Sequence, residues 1–262
     1  MTSTTHLQAL AAQSAELLPR HPWKFWFWGD SIGFEGLLDA AEFTKETMHS
    51  DGPLFAKLYQ VTGQDLYRRL ALINILSQIE LLYDPVDGLF HHFWMERSKS
   101  RNGIAWGRGN GWGLLGMVDT LEYLPAGDAG TQRMLLLLRK LLARVADLQD
   151  KGGGWRTVLN DSGSYIETSI SAFMICAMSR AIRRAWVTRD AYLPVVENAM
   201  AFLLKNIRSD GVLEGVSYET FPSTNLEHYR SMPRGGMVPW GQGAFLASLW
   251  SYAQLRTAPP NI

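Results

Sequence analysis

The residues best suited to chemistry gather in "WGRGNGW", Trp106 to Trp112, directly ahead of the apolar stretch "GLLGMVDTL". An arginine and an asparagine stand among glycines, between two indoles. A plain loop needs turn residues but no tryptophan, and a plain helix start needs a cap but no arginine. The chain holds ten tryptophans and nine tyrosines, and several indoles adjoin glycine: Trp28, Trp106, Trp112, Trp155 and Trp240. Tryptophan beside glycine at helix starts fits aromatic platforms around a pocket. The structural alternative is that large rings seal loop–helix corners. His6, His21, His49, His91, His92 and His228 show no metal-ligand spacing with acids or with Cys176, so neither a metal nor another cofactor is implied.

Helices must position these residues. "LQALAAQSAELL", "QDLYRRLALINILSQIELLY", "TQRMLLLLRKLLARVADLQD" and "DAYLPVVENAMAFLLKNI" carry apolar residues at helical spacing with charges opposite. Three of them run into aspartate–glycine turns, "YDPVDGLF", "QDKGGGW" and "RSDGVLEG", where glycine supplies the positive φ that stops a helix. After each turn comes a polar, aromatic-rich loop, then a helix rich in small residues: "WGRGNGWGLLGMVDTL", "YIETSISAFMICAMSRAI" and "WGQGAFLASLWSYA". "WGDSIGFEGLLDAAEF" and "MHSDGPLFAKLYQVTG" begin in the same manner. Five such helices backed by amphipathic ones predict an all-α toroid of helical hairpins, one domain over residues 1–262, with all five polar starts at one end. Free N–H groups and positive dipole ends would favour a negatively charged ligand there.

Composition bounds the rest. With 47% hydrophobic residues the chain can bury a sizeable core, and its 25 basic residues balance 25 acidic ones. Nothing in that balance points to nucleic acid or an anionic membrane as partner. The basic run "SRAIRR" reads as a solvated helix end. Cys176, alone in "SAFMICAM", reads as a small buried hydrophobe. A lone cysteine, no basic leader and no run of about 18 apolar residues together give a cytoplasmic, non-membrane expectation.

"WGRGNGW", preceded by "YDPVDGLFHHFW" and followed by "ETSISA" and "WGQGAFL", resembles glycoside hydrolase family 105 and its neighbour family 88. These are the unsaturated rhamnogalacturonyl and glucuronyl hydrolases. The resemblance covers most of residues 23–256. It implies an (α/α)6 toroid acting on the acidic oligosaccharides left by polysaccharide lyases. Such products carry a 4,5-unsaturated uronate at the non-reducing end. The implied chemistry is hydration: an acidic side chain protonates the vinyl ether at C4, water adds at C5, and the hemiketal collapses to release the next sugar. This differs from the two-carboxylate pattern of most glycosidases.

The resemblance also implies residues. The family's catalytic aspartate, counted back from the helix proline Pro53, falls on Glu46, and Asp51 is the second candidate. The turn histidine falls on His92. Arg108 would hold the uronate carboxylate, as a planar charged fork does well. Trp106 and Trp112 would stack on sugar rings, with the glycines allowing close approach. His49, Trp94, Asn110 and Trp28 complete the substrate-binding candidates. Each has a structural alternative: Arg108 paired with a carboxylate such as Asp119, His92 as a core histidine, Asp51 as a helix cap, Glu46 as a surface charge. His91 is expected to face solvent.

The chain departs from the family in one respect. "LLDAAEFT" passes straight to "KETMHSDGP", so one hairpin and its aspartate have no counterpart. About nine main helices and an incomplete ring are expected. The alternatives to a hydrolase are a catalytically impaired relative that still binds acidic sugars, and an epimerase of the N-acylglucosamine type.

Overall fold

The computed structural model describes residues 51–258 and, in isolation, Ala9; at Asp51 it describes the backbone alone. Glu46, His49 and Trp28 lie outside the described residues. Eight helices are found among those described: α1 Asp51–Thr62, α2 Asp65–Leu82, α3 Gly107–Leu121, α4 Ala129–Asp147, α5 Thr168–Arg183, α6 Arg189–Lys205, α7 Leu226–Arg230 and α8 Pro239–Thr257. Six two-residue strands form three antiparallel pairs: β1 Tyr83–Asp84 with β2 Leu89–Phe90, β3 Trp94–Met95 with β4 Ser100–Arg101, and β5 Trp155–Arg156 with β6 Ile166–Glu167.

The helices lie in two layers. Neighbours in the inner layer follow the order α1, α3, α5, α8, while α2, α4 and α6 each pack behind an inner helix. Sequence dictates which helix goes where. In α4 the buried residues Met134, Leu138, Leu141, Leu142 and Val145 recur at helical spacing, so one stripe faces inward and the charged face meets water. Asp128 caps this helix by accepting from the N–H groups of Gly130 and Thr131, which satisfies two of its orphan donors. In α5 every residue from Thr168 to Ser179 is buried. Its alanines and serines let α3 and α8 close on it from both sides.

The glycines of α3 serve that closeness. A Cβ on Gly107 would lie 2.4 Å from Cδ1 of Ile170 and 2.8 Å from the Arg156 carbonyl oxygen. One on Gly111 would lie 2.7 Å from Cβ of Phe173. These two positions are filled by protein, not by ligand as the sequence led us to expect.

The starts of α3, α5 and α8 converge on one rim, where Arg108, Glu167 and Trp240 meet. α1 does not join them. Its Gly52 packs against Ile75 of α2 and within 3.3 Å of the Thr120 hydroxyl, with distances taken from the position of a Cβ. Thr120 stands near the other end of α3, about 20 Å from the rim at 1.5 Å per residue. The reason is length. Only Gly63 and Gln64 separate the 12-residue α1 from the 18-residue α2, so an antiparallel α1 starts level with the middle of its partner. The expectation of five starts at one end is corrected accordingly.

Candidate active site

A cavity of about 580 Å³ opens between α2, α3 and the loop Glu219–Pro222. Ile75, Ile79 and Leu82 form one wall, and Trp106, Trp112 and Gly113 the other, with His91 and His92 beside them. Neither arginine nor lysine lines it among the described residues. The start of α1 meets the same wall at Ile75.

Asn110 builds the corner that holds the histidines. It is fully buried. Its Oδ1 accepts from the Phe90 N–H at 2.8 Å, and its Nδ2 donates to the carbonyls of Phe90 and Trp106 at 2.8 and 2.9 Å. The side-chain amide therefore staples β2 to the start of α3 and has no face left for substrate. This corrects its assignment as a sugar ligand: its work is to place His91 and His92 against Trp106.

His92 donates its backbone N–H to Ile104, and its ring lies 4.3 Å from the Trp106 ring. Nδ1 sits 2.6 Å from the Tyr229 hydroxyl. Burial, with Arg108 and His228 as like charges, lowers its pKa to about 4, so the ring is neutral near pH 7. His91 is buried, not solvent-facing as expected. Its Nε2 lies 3.0 Å from Asp87.

Arg108 is placed differently from its expected role. It is fully buried behind the cavity wall. Nη1 donates to Glu167 at 3.3 Å and to the Ser217 carbonyl and hydroxyl at 3.1 and 2.7 Å. Nη2 donates to the Tyr218 carbonyl and the Thr220 hydroxyl at 2.9 and 3.2 Å. The Trp106 and Trp240 rings flank it at 5.0 and 5.5 Å. Burial pulls its pKa below the ordinary arginine value, with Glu167 opposing. With both Nη atoms engaged by protein, Arg108 positions the loop that forms the far wall. Its carboxylate partner is Glu167; Asp119 instead pairs with Arg180 at 2.5 Å.

The indoles divide. Trp106 and Trp112 line the cavity, and Trp112 leans on Phe173 at 4.6 Å. Trp94 is not among the lining residues; its indole N–H donates to Glu96 at 3.2 Å. Glu167 is the residue that the motif reading passed over. Its carboxylate accepts from the Ile170 and Ser217 N–H groups at 2.9 and 2.8 Å and from the Ser169 hydroxyl. The "ETS" order at a helix start was the available signal, since a side-chain acceptor there caps N–H groups. Tyr229 comes from the five-residue α7 and Glu219 from irregular chain, and neither carries such a signal.

The model of the Glycosyl Hydrolase Family 88 matches residues 47–256. The chain belongs to this family. Within family 88 and its relatives, it is 28% identical over 246 residues to the unsaturated rhamnogalacturonyl hydrolase YesR of Bacillus subtilis. That alignment spans 91% of this chain and 68% of the relative. A solved structure described as a possible member of the GH105 family, from Klebsiella pneumoniae, superposes with a TM-score of 0.79 over 96% of this chain and 94% of that one, at 20% identity. Unsaturated glucuronyl hydrolase from Bacillus sp. GL1 superposes with a TM-score of 0.59 at 17% identity, covering 95% of this chain and 85% of its own. The family 88 chain is thus an α/α toroid of helical hairpins. Among the described residues no helix is long and apolar enough to cross a membrane.

Proposed function

We propose that this family 88 chain releases a 4,5-unsaturated uronic acid from the non-reducing end of lyase-generated oligosaccharides. The cavity beside His92 carries the reading. Its two indoles and its apolar α2 wall fit the faces of a sugar ring. Relatives named unsaturated rhamnogalacturonyl hydrolase and unsaturated glucuronyl hydrolase support the substrate class.

Asp51 and Glu46 are the two candidate proton donors in this proposal; the helix start that carries Asp51 meets the α2 wall of the cavity at Ile75. The acid gives its proton to C4 of the vinyl ether, and water adds its oxygen to C5 and returns a proton to the base so formed. The hemiketal then opens and frees the neighbouring sugar. Neutral groups, His92 first, orient the uronate, while the guanidinium of Arg108 holds the loop behind them. The rhamnogalacturonyl substrate is the finer form of the proposal, and a cytoplasmic site of action goes with it.

Incubation with lyase-generated disaccharides tests this, with the freed sugar followed by chromatography. Release from the unsaturated disaccharide and none from its saturated counterpart is expected. Release from both, or binding with release from neither, would refute the hydrolase reading, the second result favouring an impaired binder. Asp51→Asn and Glu46→Gln, made separately, identify the acid.

A further inference from the structure

Tyr229 is fully buried on α7, 137 residues from His92 in sequence. Its helix is tied down by Arg230, which donates to Asp161 at 2.8 and 2.6 Å and holds that carboxyl well below the usual carboxylate range. The Tyr229 hydroxyl meets Nδ1 of His92 at 2.6 Å, the N–H and carbonyl of Ser223, each at 3.2 Å, and the side chain of Asn102.

A phenol has one proton to give. The Ser223 N–H can only donate to the phenol oxygen. The Ser223 carbonyl already accepts from Nδ2 of Asn102 at 3.0 Å. The contact to His92 is shorter than either contact to Ser223, within the range of O–H donors and below that of N–H donors. The shorter contact favours Nδ1 over the Ser223 carbonyl, 3.2 Å away, as the acceptor of the Tyr229 proton. His92 lines the cavity, and its Nε2 has no protein partner among the described residues.

We propose that Tyr229 is a positioning residue that locks His92 in the Nε2–H tautomer, so that the ring is a neutral hydrogen-bond donor toward an oxygen of the bound uronyl sugar. This rests on the reading of the cavity as a sugar site. With its Nδ1 lone pair engaged and its proton on Nε2, the ring cannot take a proton from substrate. It selects an acceptor. Burial and the like charges Arg108 from α3 and His228 from α7 disfavour the imidazolium, while Glu219, on the loop that lines the cavity, is the acidic group that opposes them. A hydrogen bond donated to the neutral ring adds to them.

Nitrogen-15 NMR of histidine-labelled, sugar-free protein decides the matter, with the His92 signals assigned by their loss in His92→Ala. The expected spectrum has a protonated Nε2 and a bare Nδ1, titrating near pH 4. Tyr229→Phe keeps the buried ring. It should mix the tautomers, move the titration upward and lower kcat/KM on the unsaturated disaccharide about tenfold. A proton on Nδ1 in the unsubstituted protein, or a folded Tyr229→Phe with unchanged tautomer and titration, would overturn the proposal. The spectrum is read without sugar, so it judges Tyr229 whether or not the cavity turns substrate over.

Discussion

Arg108 and Glu167 meet 3.3 Å apart, and neither side chain reaches solvent. The pair joins the start of α3 to the start of α5, and both partners reach on to Ser217. Removing one partner strands a buried charge, at a cost of about 3–5 kcal/mol. Arg108→Ala and Glu167→Ala should each lower the unfolding free energy from urea titration by that order. Arg108→Lys should recover only part, because an ammonium cannot reproduce the fork. If Arg108→Ala unfolded like the parent and lost only affinity for sugar, Arg108 would be the direct carboxylate ligand after all.

Close packing of α3 on α5 makes a second prediction. Gly107→Ala puts a methyl against the Arg156 carbonyl oxygen and Ile170, and overpacking of this kind costs about 1–3 kcal/mol. Gly127 has no atom within 4 Å of a built Cβ and an ordinary φ, so Gly127→Ala should unfold at the parent temperature. Equal thermal midpoints for the two variants would contradict the packing described.

The buried ring of His92 predicts an acid sensitivity. Its folded pKa of about 4 lies below the ordinary 6.5, so protons bind the unfolded chain better. This contribution to stability is intact above the ordinary value, falls as pH drops through the window between the two, and is fully lost below the folded one. Urea unfolding of the parent and of His92→Gln, compared across that window, isolates the effect. The parent should lose stability faster on acidification. Parallel curves would show that the ring titrates normally.

Trp112 lines the cavity and braces on Phe173. Trp112→Ala should raise KM for an unsaturated disaccharide about tenfold, the worth of a lost aromatic contact, with a smaller change in kcat. An unchanged KM would move the sugar away from this wall.

Periodicity told much of the fold. Met134 and Leu138 declare the inward face of α4, and the small residues of α5 declare a helix packed on all sides. The site was harder to read. Arg108 looked like a ligand because its type matches a carboxylate, yet its partners Ser217 and Thr220 lie more than a hundred residues away on irregular chain. No local pattern announces that contact. Asn110 was misjudged for the same reason: its amide is spent on Phe90, across a turn. The offset start of α1 follows from a two-residue link between helices of unequal length, which hydrophobic period does not encode.

The most direct measurement follows the near-ultraviolet absorbance of an unsaturated uronyl disaccharide during incubation with the protein, since hydration of the double bond abolishes it. The absorbance should decay with the unsubstituted chain and far more slowly with His92→Ala. A steady absorbance with folded, unsubstituted protein would contradict the hydrolase.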